Sequence, residues 1–190
     1  MSPAARSFRV LSPTAILGYG FPEESFRRGM EKRPDLVAAD AGSSDPGPCY
    51  LGAGASFTSR EAVKRDLEMI LPAIVAAGIP FVIGSAGGAG ARPHLDWTLE
   101  IIDEIGAEQA LSFRLAAIAA DIAANDVLNA LNDGRIEPLG PVPELTAEEI
   151  RASTRIVAQM GAEPVGAALR GGAQVVVCGR CYDPVAFAAP

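Results

Sequence analysis

Carboxylate and hydroxyl side chains are concentrated in residues 40–48, DAGSSDPGP, directly after an apolar run. Carboxylates at this density suit proton transfer or the binding of a divalent cation, and the prolines stiffen the segment. Asp40 and Asp45 are therefore candidate acid–base residues, and Ser43 and Ser44 are candidate substrate-binding residues. The alternative is an ordinary turn, in which Ser44 and Asp45 cap backbone amides.

A glycine-rich segment, GSAGGAGAR at residues 84–92, lies between a predicted strand and a predicted helix. Such a loop can turn several backbone N–H groups toward an anion, and the start of the following helix adds partial positive charge. The spacing matches neither the dinucleotide-binding fingerprint nor the P-loop. Ser85, Gly87 and Gly88 are therefore candidates for binding a carboxylate, phosphate or acyl oxygen. The alternative is a tight turn whose glycines only permit close packing.

His94 is the only histidine, and it lies near Arg92 in the first turn of the predicted helix. The positive end of a helix lowers a histidine pKa and favours the neutral imidazole. His94 is thus a candidate acid–base residue or metal ligand, or else a solvent-facing residue. Asp121 ends another predicted strand, where it is either a catalytic candidate or the cap of the next helix.

Cys178 and Cys181 form a Cys-x-x-Cys pair near the last residues. A thioredoxin-type pair would instead open a helix near the start of its domain, and structural zinc needs four ligands. Cys49 and His94 would have to join the pair to hold zinc, so we favour Cys178 as a small buried residue of a strand. No metal is assigned; oxygen donors favour Mg²⁺ if the site uses one.

Arg180 and Asp183 follow the last predicted strand, and both are candidate substrate-binding residues. An arginine in such a position suits the two-pronged binding of a carboxylate. Asp40, Ser85 and Asp121 also lie at the ends of predicted strands. Because open parallel sheets bind ligands outside the carboxyl ends of their strands, we expect these residues to share one crevice.

Short apolar strands alternate along the chain with longer helical patterns. This alternation predicts an α/β domain with a mostly parallel sheet, helices on both faces and Rossmann-like layers, incomplete at its C-terminus. Strands are predicted at residues 7–12, 35–40, 79–85 and 111–121, and in the segment 173–184. Helices are predicted at residues 22–33, 58–78, 93–108, 124–135 and 147–172, the last one split near Gly161 and Pro164.

Two capping boxes mark the starts of predicted helices, one from Thr58 to Glu61 and the other from Thr146 to Glu149. In each box the threonine and the acid satisfy backbone N–H groups that the helix leaves free. Pro72 lies inside the predicted 58–78 helix, so we expect it to kink that helix or divide it.

The chain has 190 residues, a net charge of −7 and a pI near 4.8. This length suits a single domain over residues 1–190, and the acidic balance without a basic patch argues against nucleic acid or an anionic membrane surface as partners. Neither a secretory signal nor an apolar run long enough to span a membrane is present in the sequence. Three cysteines fit a reducing cytoplasm.

Four stretches of the sequence resemble the AtuA family of acyclic terpene utilisation proteins: VLSPTAILGYGFPEESF, ADAGSSDPGPCYLGAG, GSAGGAGARPHLDWTLEII and GPVPELTAEEI. The resemblance implies a role in bacterial catabolism of citronellol- and geraniol-like terpenes through acyl-CoA intermediates, and it implies no particular catalytic residue. The chain resembles the N-terminal portion of a longer AtuA-type region. It departs from the family pattern at Cys49 and Cys181, where an aromatic and a small residue are expected.

The function expected from these observations is that of a cytoplasmic catabolic enzyme acting on a small carboxylated or acyl-CoA substrate by hydration or elimination. Asp40 or Asp45 would transfer protons, the loop at residues 85–90 would hold a developing oxyanion, and Arg180 would orient a carboxylate. The alternatives are a non-catalytic subunit or ligand-binding module that needs a partner chain, and an inactive fragment. A homo-oligomer or a partner subunit is expected because an unfinished sheet leaves an open edge.

Overall fold

The computed structural model describes residues 7–42 and 47–189 of the chain. Within these residues, five parallel strands form one sheet in the order β1-β2-β3-β5-β4. The predicted α/β class, with its parallel sheet, is confirmed. The strands are β1 (Val10–Leu11), β2 (Leu36–Asp40), β3 (Phe81–Gly84), β4 (Leu115–Ile118) and β5 (Val175–Cys178).

Helices connect these strands and follow the predicted alternation. One short helix, over residues that were expected to form a loop, was not predicted; it directly follows the 43–46 segment. The helices are α1 (Glu23–Glu31), α2 (Gly47–Ala53), α3 (Arg60–Ala77), α4 (Arg92–Glu108), α5 (Ala124–Asn132), α6 (Ala147–Ala152), α7 (Glu163–Arg170) and α8 (Val185–Ala188).

Apart from Asp40 at the end of β2, the central strands contain no charged residue, because helices cover both faces of the sheet. In β2, Val37 and Ala39 pack into a core with side chains of α3 and α4. Leu36 and Ala38 face the opposite way and pack with residues of α7 and α8. Successive side chains of a strand thus pack into two separate apolar layers, one on each face of the sheet. This agrees with the predicted Rossmann-like layering.

Helix α3 runs unbroken through Pro72, so the predicted division of this helix is wrong. Proline has no N–H, and the carbonyl of Glu68, four residues earlier, therefore lacks its usual partner within the helix. The side-chain amide of Gln109, at the end of α4, donates to that carbonyl oxygen at 3.5 Å. A neighbouring helix thereby supplies the donor that Pro72 cannot.

The starts of α3 and α6 test the two predicted capping boxes. Ser59, and not Thr58, is the N-cap of α3, because its Oγ accepts the N–H of Ala62 at 3.2 Å; the first box is therefore wrong. At α6 the second box is confirmed, with reciprocal hydrogen bonds between Thr146 and Glu149.

The segment between α6 and α7 lies along the carboxyl edge of the sheet. The N–H of Ile122 donates to Ile156 O at 2.9 Å, and the N–H of Ala158 donates to Ala120 O at 2.8 Å. Farther along, the N–H of Met160 donates to Arg180 O at 3.1 Å. These pairings replace helical hydrogen bonds, which explains why α6 ends earlier than the helical pattern predicts.

No helix in the described part of the chain has the length and apolarity to cross a bilayer.

Candidate functional site

The carboxyl ends of the parallel strands bring the predicted strand-end residues to one edge of the sheet. Asp40 ends β2, Ser85 directly follows β3, and Arg180 lies two residues after β5. Asp121 lies beyond the end of β4. Because β2, β3, β5 and β4 are successive neighbours, these residues occupy adjacent positions along that edge. Ser43, Ser44 and Asp45 lie outside the described residues.

The neighbouring strands β3 and β5 send their following segments to opposite faces of the sheet. After β3 the chain enters α4, which packs in the core shared with α3, whereas after β5 it enters α8, which packs on the other face. Open α/β sheets bind ligands at such a reversal, outside the strand ends. The topology therefore favours the carboxyl end of β3 and β5 as the place of a functional site.

Asp40 is a nearly buried carboxyl group at this edge, with 8% of its surface exposed. Its Oδ1 accepts the backbone N–H groups of Ala41 at 2.9 Å and Gly42 at 3.2 Å. Burial raises the pKa of Asp40 to about 6; the negative charge of Asp183 adds to this, while the two amides and Arg180 oppose it. A carboxyl group with this pKa can give or accept a proton near neutral pH.

Ser85 is fully buried and joins the loops that follow β3 and β5. Its hydroxyl donates to Cys181 O at 3.2 Å and accepts the N–H of Cys181 at 3.3 Å. Ser85 also has a left-handed backbone with φ of 42°, which is uncommon for a residue other than glycine. The observed role of this side chain is to fasten two loops, and its binding of substrate stays a prediction.

Cys178 and Cys181 are buried free thiols, and Cys178 lies in β5 as predicted. The hydrogen bond between these thiols raises the pKa of Cys178, the donor, and lowers the pKa of Cys181. Cys49 is exposed. Within residues 7–42 and 47–189, no group of three or more His, Cys, Asp or Glu side chains could hold a metal ion. The described side chains therefore supply no four-ligand zinc site, and the use of Mg²⁺ stays a prediction.

The glycines of the 84–92 segment lie against other parts of the edge. A Cβ added at Gly87 would lie 2.8 Å from the Cβ of His94, and one added at Gly88 would lie 2.5 Å from the ring of Phe57. Both glycines have positive φ. These contacts support the packing interpretation of the segment, while its binding of an anion stays a prediction.

His94 is 1% exposed, so the alternative that it is a solvent-facing residue is wrong. Its Nε2 lies 3.1 Å from both Tyr50 O and Ala55 O. Carbonyl oxygens only accept hydrogen bonds, so Nε2 carries the proton. Burial lowers the pKa of His94, and the positive charge of Arg155 contributes. The predicted neutral imidazole thus agrees with the structure, but burial and not the helix end is its main cause.

Asp121 caps a helix, although not the one that was predicted. Its Oδ1 accepts the backbone N–H of Arg92 at 3.0 Å, at the start of α4. The following helix, α5, has Ala123 at its N-cap and no side-chain cap there. Asp121 is exposed, and its hydrogen bond is to the helix that precedes it in the chain. Because the two residues are far apart in the sequence, this contact could not be predicted from neighbouring residues.

The sequence analysis missed Asp66, a fully buried carboxylate in the middle of α3. Its Oδ2 accepts the N–H groups of Gly18 at 2.8 Å and Gly20 at 3.1 Å, and Arg65 lies 3.3 Å from its Oδ1. This residue therefore fixes the loop that follows β1. The signal in the sequence was a charged residue on the apolar side of an amphipathic helix.

Arg155 is a second residue that the sequence analysis missed. It follows α6, inside a segment that was predicted to be helical, and its guanidinium lies against Gly54. A Cβ added at Gly54 would be 2.8 Å from Nη2 of Arg155. Gly54 was the available signal in the sequence, because a glycine without a side chain leaves room for a large side chain from a distant part of the chain.

Comparisons with known proteins identify a family for this chain. A sequence model of the acyclic terpene utilisation family protein AtuA matches residues 55–190. No curated protein and no solved structure matches the chain significantly. The matched part includes His94, Arg155 and Arg180, whereas Asp40 precedes it. Because the match covers more than half of the chain and agrees with the resemblance noted in the sequence, the chain belongs to the AtuA family.

Proposed function

We propose that the chain is a cytoplasmic catabolic enzyme that interconverts an unsaturated and a hydroxylated form of a small carboxylated or acyl-CoA substrate. The family membership supports a part in acyclic terpene catabolism. The observation that carries the proposal is the Asp40 carboxyl group, which lies at the carboxyl end of β2 with a pKa of about 6. Both of its protonation states are therefore populated under physiological conditions.

In the elimination direction, the Asp40 carboxylate removes a proton from the carbon next to the substrate carbonyl. The electron pair of that C–H bond forms the new double bond, and the C–O bond of the neighbouring hydroxyl group breaks. The protonated Asp40 then returns the same proton to the departing hydroxide, which leaves as water. Hydration is the reverse sequence, so no oxidant or reductant is consumed in either direction.

Two further groups would assist this chemistry at the same edge. Within residues 85–90, the N–H groups of Ala86, Gly88 and Gly90 already donate to backbone carbonyl oxygens. The remaining N–H groups of this loop would stabilise negative charge on the substrate carbonyl oxygen, and Arg180 would hold a carboxylate. The charges of Asp183 and Arg180 both affect the pKa of Asp40, which supports their part in the same site. Burial is the main cause of the raised pKa of Asp40, and the charge of Asp183 adds to it more than that of Arg180 opposes it.

The proposal is tested by following the absorbance of an unsaturated acyl-CoA thioester with the purified chain, with and without Mg²⁺. Asp40→Asn should lower kcat by about 100-fold or more, because positioned acid–base groups contribute at least that much. Asp103→Asn, an exposed carboxylate on α4, is the matched control and should leave the rate unchanged. Equal rates for wild type and Asp40→Asn would eliminate the acid–base role.

An exposed apolar groove favours the second candidate, a non-catalytic subunit that binds a partner chain. It is formed by α5, the start of α6 and the connection between them, and it is lined by Leu131, Ile136 and the largely exposed Val142. Size-exclusion chromatography with light scattering distinguishes the candidates. A monomer of 19.6 kDa that turns over substrate would contradict an obligate assembly.

A further inference from the structure

Two buried polar atoms near the carboxyl edge have no hydrogen-bond partner among the described residues: Nδ1 of His94 and Nε of Arg155. Buried polar atoms are nearly always paired, and leaving one unpaired destabilises the folded state. Both side chains contact the same short stretch of backbone, since His94 bonds to Tyr50 O and Ala55 O while Arg155 lies on Gly54. Their juxtaposition therefore needs an explanation.

The position of Arg155 is fixed by its surroundings. The carbonyl oxygen of its neighbour Ile156 accepts the N–H of Ile122, which lies beyond the end of β4, and this anchors the backbone. Gly54, with φ of 66°, leaves space that a side chain would fill, and the guanidinium occupies it. Within the described part of the chain, no ion pair neutralises Arg155. The edge thus holds a half-buried positive group with a free N–H donor.

The free atom of His94 has the opposite hydrogen-bonding character. Because Nε2 donates its proton toward two carbonyl oxygens, Nδ1 of the neutral ring carries a lone pair and can only accept. The nearby positive charge of Arg155 helps to keep the ring neutral. A ligand that satisfies both side chains must therefore present an acceptor to Arg155 and a donor to His94.

We propose that Arg155 and His94 form a binding site for a hydroxycarboxylate. A carboxylate oxygen accepts the Nε–H of Arg155, and the hydroxyl group of the same molecule donates to Nδ1 of His94. The glycine-rich segment links this site to Asp40, because Gly87 packs on His94 and Gly42 packs against Gly88. The assignment of this ligand as the hydrated form of the substrate rests on the proposed function, whereas the binding site itself does not.

Nuclear magnetic resonance of the ¹⁵N-labelled chain tests the site directly, since His94 is the only histidine and its ring signals need no assignment by mutation. The probes are sodium 3-hydroxybutyrate, sodium butyrate and inorganic phosphate at millimolar concentrations. We expect 3-hydroxybutyrate to shift the Nδ1 signal saturably, and butyrate to leave it unchanged. An unchanged Nδ1 signal with 3-hydroxybutyrate, equal shifts with butyrate, or a response to phosphate alone would each overturn the proposal.

A pair of arginine variants isolates the contribution of the guanidinium. Arg155→Gln should weaken 3-hydroxybutyrate binding by about tenfold or more, because a hydrogen bond to a charged group is lost. Arg151→Gln, an exposed arginine of α6, is the control and should bind normally. Equal binding by both variants would overturn the site. Binding that depends on Arg155 in a chain without hydratase activity would uphold this site and reject the proposed function.

Discussion

The backbone N–H of Arg180 donates to the carbonyl oxygen of Gly90 at 2.9 Å. This hydrogen bond joins the loops that follow β5 and β3, and it brings their backbones so close that a Cβ on Gly90 would lie 2.1 Å from Arg180 N. Gly90 also has φ of 70°, a conformation that favours glycine. The candidate site therefore depends on direct backbone contact between two loops, which only glycine permits.

Replacing Gly90 with alanine should lower the free energy of unfolding by about 3 kcal/mol or more, because steric overlap adds to backbone strain. Gly78→Ala is the matched control: Gly78 has φ of 66° but nothing within 4 Å of the added Cβ. Strain alone should cost about 1 kcal/mol there. Urea unfolding of both variants measures the difference, and equal losses would contradict the close approach of the two loops.

The stability of Asp40→Asn should depend on pH in a defined direction. The folded-state pKa of Asp40 is about 6, above its ordinary value of 3.8. The fold therefore favours the protonated carboxyl group, and this contribution to stability is fully present below pH 3.8. That contribution is lost as pH rises through about 6. Near pH 7 the ionised carboxylate costs on the order of 2–3 kcal/mol, which asparagine avoids.

We therefore expect Asp40→Asn to unfold at higher urea than the wild type near neutral pH, with an advantage that shrinks toward about pH 4. The exposed Asp103→Asn variant controls for the change of net charge and should show no such trend. A constant difference across this range would mean that the Asp40 pKa is not raised. The variant that loses activity should thus gain stability, because burial makes the ionised carboxylate of Asp40 unfavourable in the folded protein.

Asp121→Ala separates a capping role from a catalytic one. Loss of the hydrogen bond from Arg92 N should destabilise the protein by about 1 kcal/mol, the usual effect of removing a helix cap. Asp121→Asn should retain most of that stability, because an amide oxygen also accepts the N–H. Thermal unfolding gives the stability of each variant. A large loss of turnover in Asp121→Asn with normal stability would restore the catalytic interpretation.

The three cysteines should differ sharply in reactivity toward iodoacetamide. Cys49 is exposed and should be alkylated rapidly, whereas Cys178 and Cys181 are buried and should react only after unfolding. Mass spectrometry of the native protein should find a single modified site, and Cys49→Ser should remove it. Rapid alkylation of Cys181 in the native chain would show that the edge opens in solution.

The parallel sheet and the placement of Asp40 followed from local patterns. Apolar runs bounded by glycine or acid identify buried strands, and the parallel arrangement then places every strand end at the same edge. This reasoning needs only the order of helices and strands along the chain. It therefore placed Asp40, Ser85 and Arg180 at the carboxyl ends of their strands, where the structure has them.

The partners of the site residues could not be predicted in the same way. The burial of His94 depends on carbonyl groups of residues 50 and 55, and Arg155 meets Gly54 about one hundred positions away. Asp121 reaches back to Arg92. Such contacts arise only when the chain has folded, since side-chain periodicity carries no information about which distant loop will lie alongside.

The hydrogen bond between Ile122 N and Ile156 O closes the base of the excursion that contains α5 and α6. Because the two ends already touch, a short turn in place of residues 123–153, which retains Arg155, would leave every strand of the sheet intact and add little loop-closure entropy. The excursion is thus a module that can be trimmed or exchanged. Since it carries the exposed apolar groove and neither Asp40 nor Arg155, its excision would remove the proposed partner surface and leave the proposed ligand site in place.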